Sequence, residues 1–396
     1  MLPRRRMNLG VYINPSGHHV ASWRHPRAQA DAHVNIDHYL EIAQTAERAK
    51  LDLIFLADSN KVRVADIDAL QRTTQFVAYF EPLTLLSAMA TVTSRIGLVG
   101  TASTSWNQPF QIARLFASLD HVSKGRAGWN VVTSVADAEA QNFSHDHAYE
   151  HGDRYDRAHE VIEIVEALWD SWDDDAFIRD NDTGIFFDPA KMHELNHKTE
   201  RYRVRGPLNV PRPPQGYPVI VQAGASDPGR ELAARYAEVT FGPYFDWSSA
   251  KNYYDDTKGR MAKYHRDPDQ LKVLSGVSVF VKATEAEAKK DYEYTQSLIH
   301  PTVSREIIGT TLGSTNIIVG SPYQVADYLQ DWFEREACDG FNLMPPYIPG
   351  AMDDFCELVI PELQMRGLFR TEYEGNTLRE NLGLRRPTSH YKAANA

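Results

Sequence analysis

Short apolar runs rich in β-branched residues alternate along the chain with longer stretches in which apolar residues recur at helical spacing. The apolar runs predict eight strands, at Leu9–Ile13, Asp52–Ala57, Ile96–Thr101, Gly128–Thr133, Val219–Ala223, Glu238–Gly242, Val273–Val281 and Phe341–Met344. The longer stretches predict helices at His38–Ala49, Phe110–Val122, Arg154–Trp172, Pro228–Ala237, Ala250–His265, Glu285–Ile299, Tyr323–Glu334 and Met352–Arg366. Eight strands that mostly alternate with helices are typical of an α/β protein built as a (β/α)8 TIM barrel.

The alternative fold is an open doubly wound sheet. No GxGxxG motif follows any predicted strand, which weakens a dinucleotide-binding interpretation. Two segments fit the alternation badly. Asp173–Gly216 is rich in Asp, Asn and Pro, and we interpret it as an excursion from a single domain that spans residues 1–396. The second segment is Pro301–Asn316.

Polar and small residues follow five of the predicted strands. They are Asn14–His19, Asp58 and Ser59, Thr101–Asn107, Asn130 with Ser134, and Gln222–Ser226. Active sites of TIM barrels form at these carboxyl ends of the strands. Each residue alone is explained equally well as a turn or cap residue. Their recurrence at five strand ends indicates a site for a flat ligand with many hydrogen-bond acceptors.

The segment Ala223–Arg230 predicts the start of a helix. Ser226 or Asp227 can cap it, and Pro228 suits its first position. The free amides of such a helix start attract an anion such as a phosphate. The carboxylate of Asp227 would oppose that binding if it pointed the same way.

Several histidines lie on predicted loops. His145, His147 and His151 match no HExxH or comparable metal motif, so we predict a solvated loop and no metal site. His151 and Tyr155 are four residues apart and share a face if the helix begins early enough. His300 is one of several histidines that can transfer a proton near neutral pH.

Composition narrows the class of protein. With 396 residues, 42% hydrophobic and 24% charged, the chain can bury a large core without disulfides. Only two cysteines are present, which favours a reducing cytoplasm. The net charge of −11 argues against nucleic-acid binding. No apolar run approaches the ~20 residues of a membrane span, no export signal follows the basic start, and the polar tail 385–396 is expected to fray.

Nine motifs distributed along the chain carry a resemblance to a known family. They are Ala21–Pro26 (ASWRHP), Leu53–Ser59 (LIFLADS), Thr101–Pro109 (TASTSWNQP), Gly128–Ser134 (GWNVVTS), Asp188–His193 (DPAKMH), Pro218–Ser226 (PVIVQAGAS), Ser297–Pro301 (SLIHP), Gly340–Gly350 (GFNLMPPYIPG) and Arg370–Leu384 (RTEYEGNTLRENLGL). Together they resemble the bacterial luciferase-like FMN-dependent monooxygenases, in the branch of the nitrilotriacetate and dibenzothiophene-sulfone monooxygenases.

The resemblance implies a TIM barrel that binds FMN at the carboxyl ends of its strands. The FMN is supplied reduced by a separate NAD(P)H-dependent flavin reductase, and it reacts with O2 to give a flavin hydroperoxide that oxygenates a small organic substrate. The resemblance further implies a homodimer or homotetramer. Its motifs place Asp58, Thr101 or Thr104, and Ser134 beside the isoalloxazine or ribityl chain, Asn130 beneath the ring, His151, Tyr155 and Ser226 around the phosphate, and His300 in proton transfer.

A reactive flavin needs a closed, apolar pocket. Candidate walls, each of which taken alone is better explained by barrel or helix packing, are Trp106, Trp129, Phe241, Tyr244 and Phe245. Relatives carry a longer segment after the SLIHP motif than Pro301–Asn316, so a cover there is either trimmed or absent from the chain as given. The alternative functions are a deazaflavin-dependent dehydrogenase and a non-catalytic flavin-binding protein. The substrate is not predicted, although Arg24, Arg27 and Arg63 are compatible with an anion.

Overall fold

Eight parallel strands close on themselves in the computed structural model, which describes residues 5–62, 67–74, 77–242, 244, 246–303 and 316–393. The described strands are β1 Asn8–Tyr12, β2 Leu53–Leu56, β3 Gly97–Ser103, β4 Ala127–Val132, β5 His197–Lys198, β6 Arg203–Val204, β7 Val219–Gln222, β8 Val239–Gly242, β9 Lys272–Val281, β10 Asn316–Gly320 and β11 Gly340–Leu343. All except β5, β6 and β10 form the barrel, which closes where β8 pairs with β9 and β1 pairs with β11. The predicted TIM barrel is confirmed, and each predicted strand overlaps one barrel strand.

Strand β10 was not predicted from the sequence. It runs parallel to the second half of β9, with Asn316 opposite Val277, whereas β11 pairs with the first half from Leu274 to Val277. With ten residues, β9 is long enough to pair with a barrel strand along its first half and with β10 along its second half. A five-residue apolar run, next to a sequence without a clear period, carries too little periodicity to be assigned to a strand.

Helices surround the barrel and follow most of its strands. The described helices are α1 Ile36–Arg48, α2 Ile67–Leu70, α3 Pro82–Val92, α4 Pro109–Val122, α5 Asp137–Ala140, α6 His151–Trp169, α7 Asp227–Tyr236, α8 Trp247–Arg260, α9 Glu285–Ser297, α10 Pro322–Glu334, α11 Gly350–Asp354, α12 Ile360–Met365, α13 Leu378–Asn381 and α14 His390–Ala393, with a π-helical turn at Phe355–Val359. Helix α3 was missed because its sequence, PLTLLSAMATV, is apolar on nearly every face and lacks an amphipathic period. Among the described helices, none is long and apolar enough to cross a membrane.

The amino end of the barrel is closed by residues from near the end of the chain. Leu378, Leu382 and Leu384 pack with Leu53 and Val99 from the barrel interior. Contact there is close, because a Cβ atom on Gly97 would lie 2.4 Å from Leu378 Cδ1. These three leucines form a floor that closes the amino end of the barrel. A site for a ligand is therefore expected at the opposite end, where the strands finish.

The chain between α6 and β7 contains the two-stranded antiparallel pair β5–β6 and packs onto the barrel. The indole of Trp172 donates to the Leu208 carbonyl at 2.7 Å. The predicted fraying of the tail is wrong as far as the structure describes it. Arg386 pairs with Asp174 at 2.6 Å, and His390 lies 2.9 Å from Asp170. Fixed carboxylates on this excursion therefore hold the polar tail in place.

Candidate functional site

A buried hydrogen-bond relay joins the ends of β2, β3 and β4. The Thr101 hydroxyl donates to the Leu56 carbonyl at 2.8 Å, so its oxygen is left to accept. Asn130 Nδ2 donates to that oxygen at 2.8 Å, which fixes the orientation of the amide. Asn130 Oδ1 is buried and, among the described residues, has no hydrogen-bond partner. An unsatisfied buried acceptor costs about 1–3 kcal/mol, so the relay offers a place for the N–H of a ligand.

Thr104 lies close by but has a different role. Its backbone N–H and its hydroxyl both donate to the Val132 carbonyl, at 2.9 and 3.1 Å. It therefore clamps the end of β3 to the end of β4. Of the two threonines that the resemblance implied, the relay favours Thr101 as the one that supports a ligand.

Ser134 stands at the end of β4 in a strained backbone conformation. Its φ of 35° is in the left-handed region, which is uncommon for a residue other than glycine. The hydroxyls of Ser103 and Ser134 are 2.8 Å apart, and Arg154 Nη1 donates to the Ser134 carbonyl at 3.4 Å. Strain of this kind persists only where surrounding contacts hold it, as at binding sites. Sequence reasoning missed Arg154, although it stands three residues after His151 on the same helix.

Helix α6 carries the next part of the site. It begins at His151, so His151 and Tyr155 share one face, as predicted, with their rings 5.2 Å apart. The Tyr155 hydroxyl oxygen lies 3.0 Å from Ser226 Oγ, at the start of α7. Ser226 also accepts from the Gly229 amide at 3.3 Å, as the cap of that helix. The candidate phosphate residues are thus brought together.

The charge at the start of α7 does not oppose an anion. Asp227 Oδ1 lies 2.6 Å from Arg260 Nη2, so an arginine neutralises the carboxylate that could have repelled one. Glycine is required here, because a Cβ atom on Gly229 would lie 2.9 Å from the Gly224 carbonyl oxygen and 3.1 Å from the Tyr155 hydroxyl. The close approach of these backbones leaves helix amides and hydroxyls around one small space.

Asp58 follows β2, two residues after the carbonyl that anchors Thr101. Its Oδ1 accepts from the Ser59 amide at 2.9 Å. Burial raises the pKa of this carboxyl, and Glu81 and Glu139 raise it further, against the Ser59 amide and a hydrogen bond from Tyr79. Asp58 therefore holds a proton more readily than an exposed aspartate. Tyr79 was not identified from the sequence, because it lies in a loop without a distinctive pattern.

His300 lies on a separate part of the rim, in a cavity that it shares with Trp23 and Arg72. Its Nδ1 accepts from the Thr302 amide at 3.2 Å. A neutral imidazole that accepts at Nδ1 carries its proton on Nε2. His300 is therefore built to present an N–H, although no hydrogen bond or ring contact among the described residues joins it to Thr101, Asn130 or Ser226.

The other predicted histidines face different partners. His147 Nδ1 lies 3.1 Å from Asp137, and the ring of His145 lies 5.4 Å from that of Trp106. His18, after β1, is buried, and burial lowers its pKa to about 4. Its Nε2 lies 2.9 Å from the Tyr12 carbonyl oxygen, which indicates a structural role for a neutral ring.

Two of the candidate apolar walls, Trp129 and Phe241, pack in the core of the protein. Trp129 is fully buried outside the barrel, against Phe116 and Trp169 at ring distances of 5.9 and 6.4 Å, so its interpretation as a wall is wrong. Phe241 lies inside the barrel, 5.6 Å from Phe55, and contributes to its core. The aromatic side chain at position 129 is explained by barrel-to-helix packing alone.

The remaining candidate walls lie above the barrel. Trp106 stacks on Phe143 and Tyr149 at ring distances of 5.8 and 5.3 Å, in the loops beyond β3 and α5. Tyr244 packs 4.9 Å from Tyr253. Candidate residues Phe245 and Arg63, and most of the segment 301–316, lie outside the described residues.

A TIM barrel with polar side chains collected at the carboxyl ends of its strands is the architecture of an enzyme. Residues 16–337 match the family model described as luciferase-like monooxygenase. The chain belongs to this family of flavin-dependent oxidoreductases, which confirms the resemblance and the assignment as an enzyme.

Two relatives are similar over almost their full length. Nitrilotriacetate monooxygenase component A of Aminobacter aminovorans is 46% identical, with 97% of this chain and 97% of the relative covered. N-acetyl-S-(2-succino)cysteine monooxygenase of Bacillus subtilis (strain 168) is 45% identical, with 98% of this chain and 99% of the relative covered. Among solved structures, riboflavin lyase RcaE with modified FMN and riboflavin superposes with a TM-score of 0.89 at 31% identity, covering 96% of this chain and 97% of that one.

Proposed function

We propose that this chain is the oxygenase component of a two-component monooxygenase. It binds FMN delivered in the reduced form by a separate NAD(P)H-dependent flavin reductase, and it uses O2 to oxygenate a small organic substrate. Family membership supports the oxygenase chemistry. The name of the Aminobacter relative, component A, supports a separate partner, and the modified FMN in the riboflavin lyase structure supports FMN as the flavin.

The observation that carries the proposal is the unpartnered Oδ1 of Asn130. A flavin ring offers an imide N–H between two carbonyl oxygens. An amide held by Thr101 on one side can accept from that N–H, and it keeps one amide hydrogen free to donate. Asp58 and Ser134 lie at the ends of the strands on either side of β3, where the ring or the ribityl chain is proposed to bind.

The phosphate of FMN fits the second cluster. The hydroxyls of Tyr155 and Ser226, the ring of His151 and the first amides of α7 offer donors without a free carboxylate. Arg154 adds a positive charge beside Ser134, between this cluster and the relay. The two clusters together match a ligand that is flat at one end and anionic at the other.

When bound, the reduced flavin supplies two electrons and the atom at which O2 reacts. The residues of the chain must bind it, keep water away from it, and hold a proton where one oxygen atom leaves as water. Burial of Thr101 and Asn130, at 3% and 2% exposure, excludes water from the base of the site. We assign proton transfer to Nε2 of His300.

The test is an anaerobic titration of the protein with reduced FMN, followed by addition of O2. We expect saturable binding that is at least about tenfold tighter than that of reduced riboflavin, because the phosphate cluster contributes. With a flavin reductase and NADH but no substrate, hydrogen peroxide should form more slowly than from free reduced FMN, because the bound flavin is kept from water. Absence of flavin binding, or hydrogen peroxide formed as fast as from free reduced FMN, would refute the proposal.

The proposal includes assembly as a homodimer or homotetramer and a cytoplasmic location. The assembly is taken from the family likeness, and light scattering on the purified protein tests it. The location is supported by the two cysteines, which the structure leaves unpaired.

A further inference from the structure

We propose that the cavity around His300 binds a small substrate that carries carboxylate groups. This inference rests on the proposed function, because it identifies the substrate class of the same oxygenase. The cavity is lined by Trp23, Arg24, Arg72, Leu298 and His300, among others. It is separate from the two clusters assigned to the flavin.

The position of the cavity fits a substrate site. Two of its walls come from the chain after β1 and after β2, on the side where the barrel strands finish. The third comes from the chain after α9, which Arg24 contacts at the Leu298 carbonyl. Backbone amides of His18 and His19 bond to the carbonyls of Pro345 and Pro346, which tie the first wall to the end of β11. The volume, about 190 Å³, lies below the roughly 300–1,000 Å³ of pockets for drug-sized ligands, which indicates a small molecule.

The cavity carries two guanidinium groups that form no ion pair with the described residues. Arg72 Nε is buried and, in the part of the chain that the structure describes, has no hydrogen-bond partner. Arg24 Nη1 donates to the Leu298 carbonyl, and within the same ranges no carboxylate pairs with either guanidinium. Arg27 differs, because it forms an ion pair with Asp354.

A carboxylate is the natural partner for these groups. An arginine left without a partner in a cavity carries an uncompensated desolvation cost, and the planar guanidinium matches a carboxylate with two parallel hydrogen bonds. The net charge of the protein is −11, so this cavity is a local positive site in an acidic molecule. Anionic ligands are favoured there over neutral ones.

The remaining wall suits the carbon skeleton of such a ligand. The indole of Trp23 is held by a 3.0 Å hydrogen bond from its Nε1 to the Arg72 carbonyl, which also fixes the start of that arginine. Leu298 and Val303 add aliphatic surface. His300 lines the same space, so the carboxylates of the ligand and the candidate proton donor would share one cavity.

The test compares two probes of nearly equal size, tricarballylate and its uncharged triamide, by calorimetric titration of the full chain in the presence of FMN. We expect tricarballylate to bind at least about tenfold more tightly, with an affinity that falls as salt increases. Arg72→Gln should weaken tricarballylate binding at least about tenfold, and Arg72→Lys should restore part of it. Arg114→Gln, on the exposed face of α4, should change it less than about twofold.

Equal affinity for the acid and the amide, or unchanged binding in Arg72→Gln, would overturn the inference. The probe pair on the wild type keeps the test independent of whether a variant folds. Failure of the proposed function is distinguished by a second measurement on the same samples. If reduced FMN does not bind while tricarballylate binding depends on Arg72, the proposed function is wrong and the anion site is supported. If reduced FMN binds and tricarballylate does not, the proposed function is supported and the anion site is wrong.

Discussion

The hydroxyl oxygen of Tyr155 lies 3.0 Å from that of Ser226, which joins the first turns of two helices that follow different barrel strands. Neither Tyr155 nor Ser226 alone would indicate a phosphate site. Together they convert the start of α7, an ordinary capped helix, into a cluster of donors with a defined partner on α6. This pair is where the proposed phosphate site can be tested most directly.

Tyr155→Phe removes one donor and keeps the ring. We expect the affinity for reduced FMN to fall about tenfold, since a hydrogen bond to a charged group contributes roughly 1.5 kcal/mol, with no change for riboflavin, which lacks the phosphate. Anaerobic titration of both flavins measures this difference. An equal loss for both would mean that Tyr155 acts on the ring or on the fold.

Ser226→Ala should weaken FMN binding similarly and also cost roughly 1 kcal/mol of stability through the lost helix cap. Ser321→Ala is the matched control, because Ser321 caps α10 through the same kind of bond, to Gln324. We expect the control to lower the unfolding free energy without affecting flavin binding. Loss of flavin affinity in the control would show that helix destabilisation alone explains both variants.

Thr101→Val and Thr104→Val separate two neighbouring threonines. Thr101→Val removes the anchor of Asn130, so the amide loses its fixed orientation, and flavin affinity should fall about tenfold. Thr104→Val loses one bond to Val132 that its own amide duplicates, and should cost about 1 kcal/mol of stability with flavin affinity retained. The reverse pattern in titration and urea unfolding would exchange their roles.

His300→Gln tests proton transfer. We expect turnover to fall by roughly 10²-fold or more, while the binding of flavin and of tricarballylate changes only slightly. Unchanged turnover would remove His300 from the proposed chemistry, whereas weaker tricarballylate binding with normal turnover at saturation would make it a binding residue only.

His390 predicts a pH-dependent attachment of the tail. Its hydrogen bond to Asp170 raises the pKa of His390 against the effect of burial, and the pKa of Asp170 is lowered. Because the folded pKa of His390 exceeds its unfolded value near 6.5, this stabilisation is complete below that pH and is lost as pH rises through the folded pKa. The free energies of unfolding of wild type and His390→Gln, measured in urea, should therefore differ more at pH 5.5 than at pH 9. A difference that does not change with pH would contradict this prediction.

The barrel could be predicted because its strands are buried on both faces and read as apolar runs between amphipathic helices. The elements that were missed lack that contrast. Helix α3 is apolar throughout, and β10 is a short run beside a segment without periodicity. The spacing of apolar residues does not reveal an element whose faces are all equally apolar.

The site was predicted in part for a different reason. Thr101, Asn130 and Ser226 follow strands directly, so their place on the rim follows from the fold. Arg72, which is half-buried, and Arg154, which is buried, were missed because the sequence does not distinguish an arginine that has no carboxylate partner among the described residues from the many that are paired. The sequence also could not separate Thr101 from Thr104, since the difference lies in which carbonyl each hydroxyl meets.

The leucines that seal the barrel from below have a consequence for biosynthesis. Arg379, which follows Leu378 in α13, is 2% exposed. It pairs with Glu238 and donates to the Tyr217 carbonyl, so the floor is fastened to residues made more than a hundred positions earlier, next to β8 and β7. A nascent chain therefore carries an unsealed barrel until residues 378–384 have been synthesised. During that interval its inner leucines and valines are open to water, and to chaperones that recognise them.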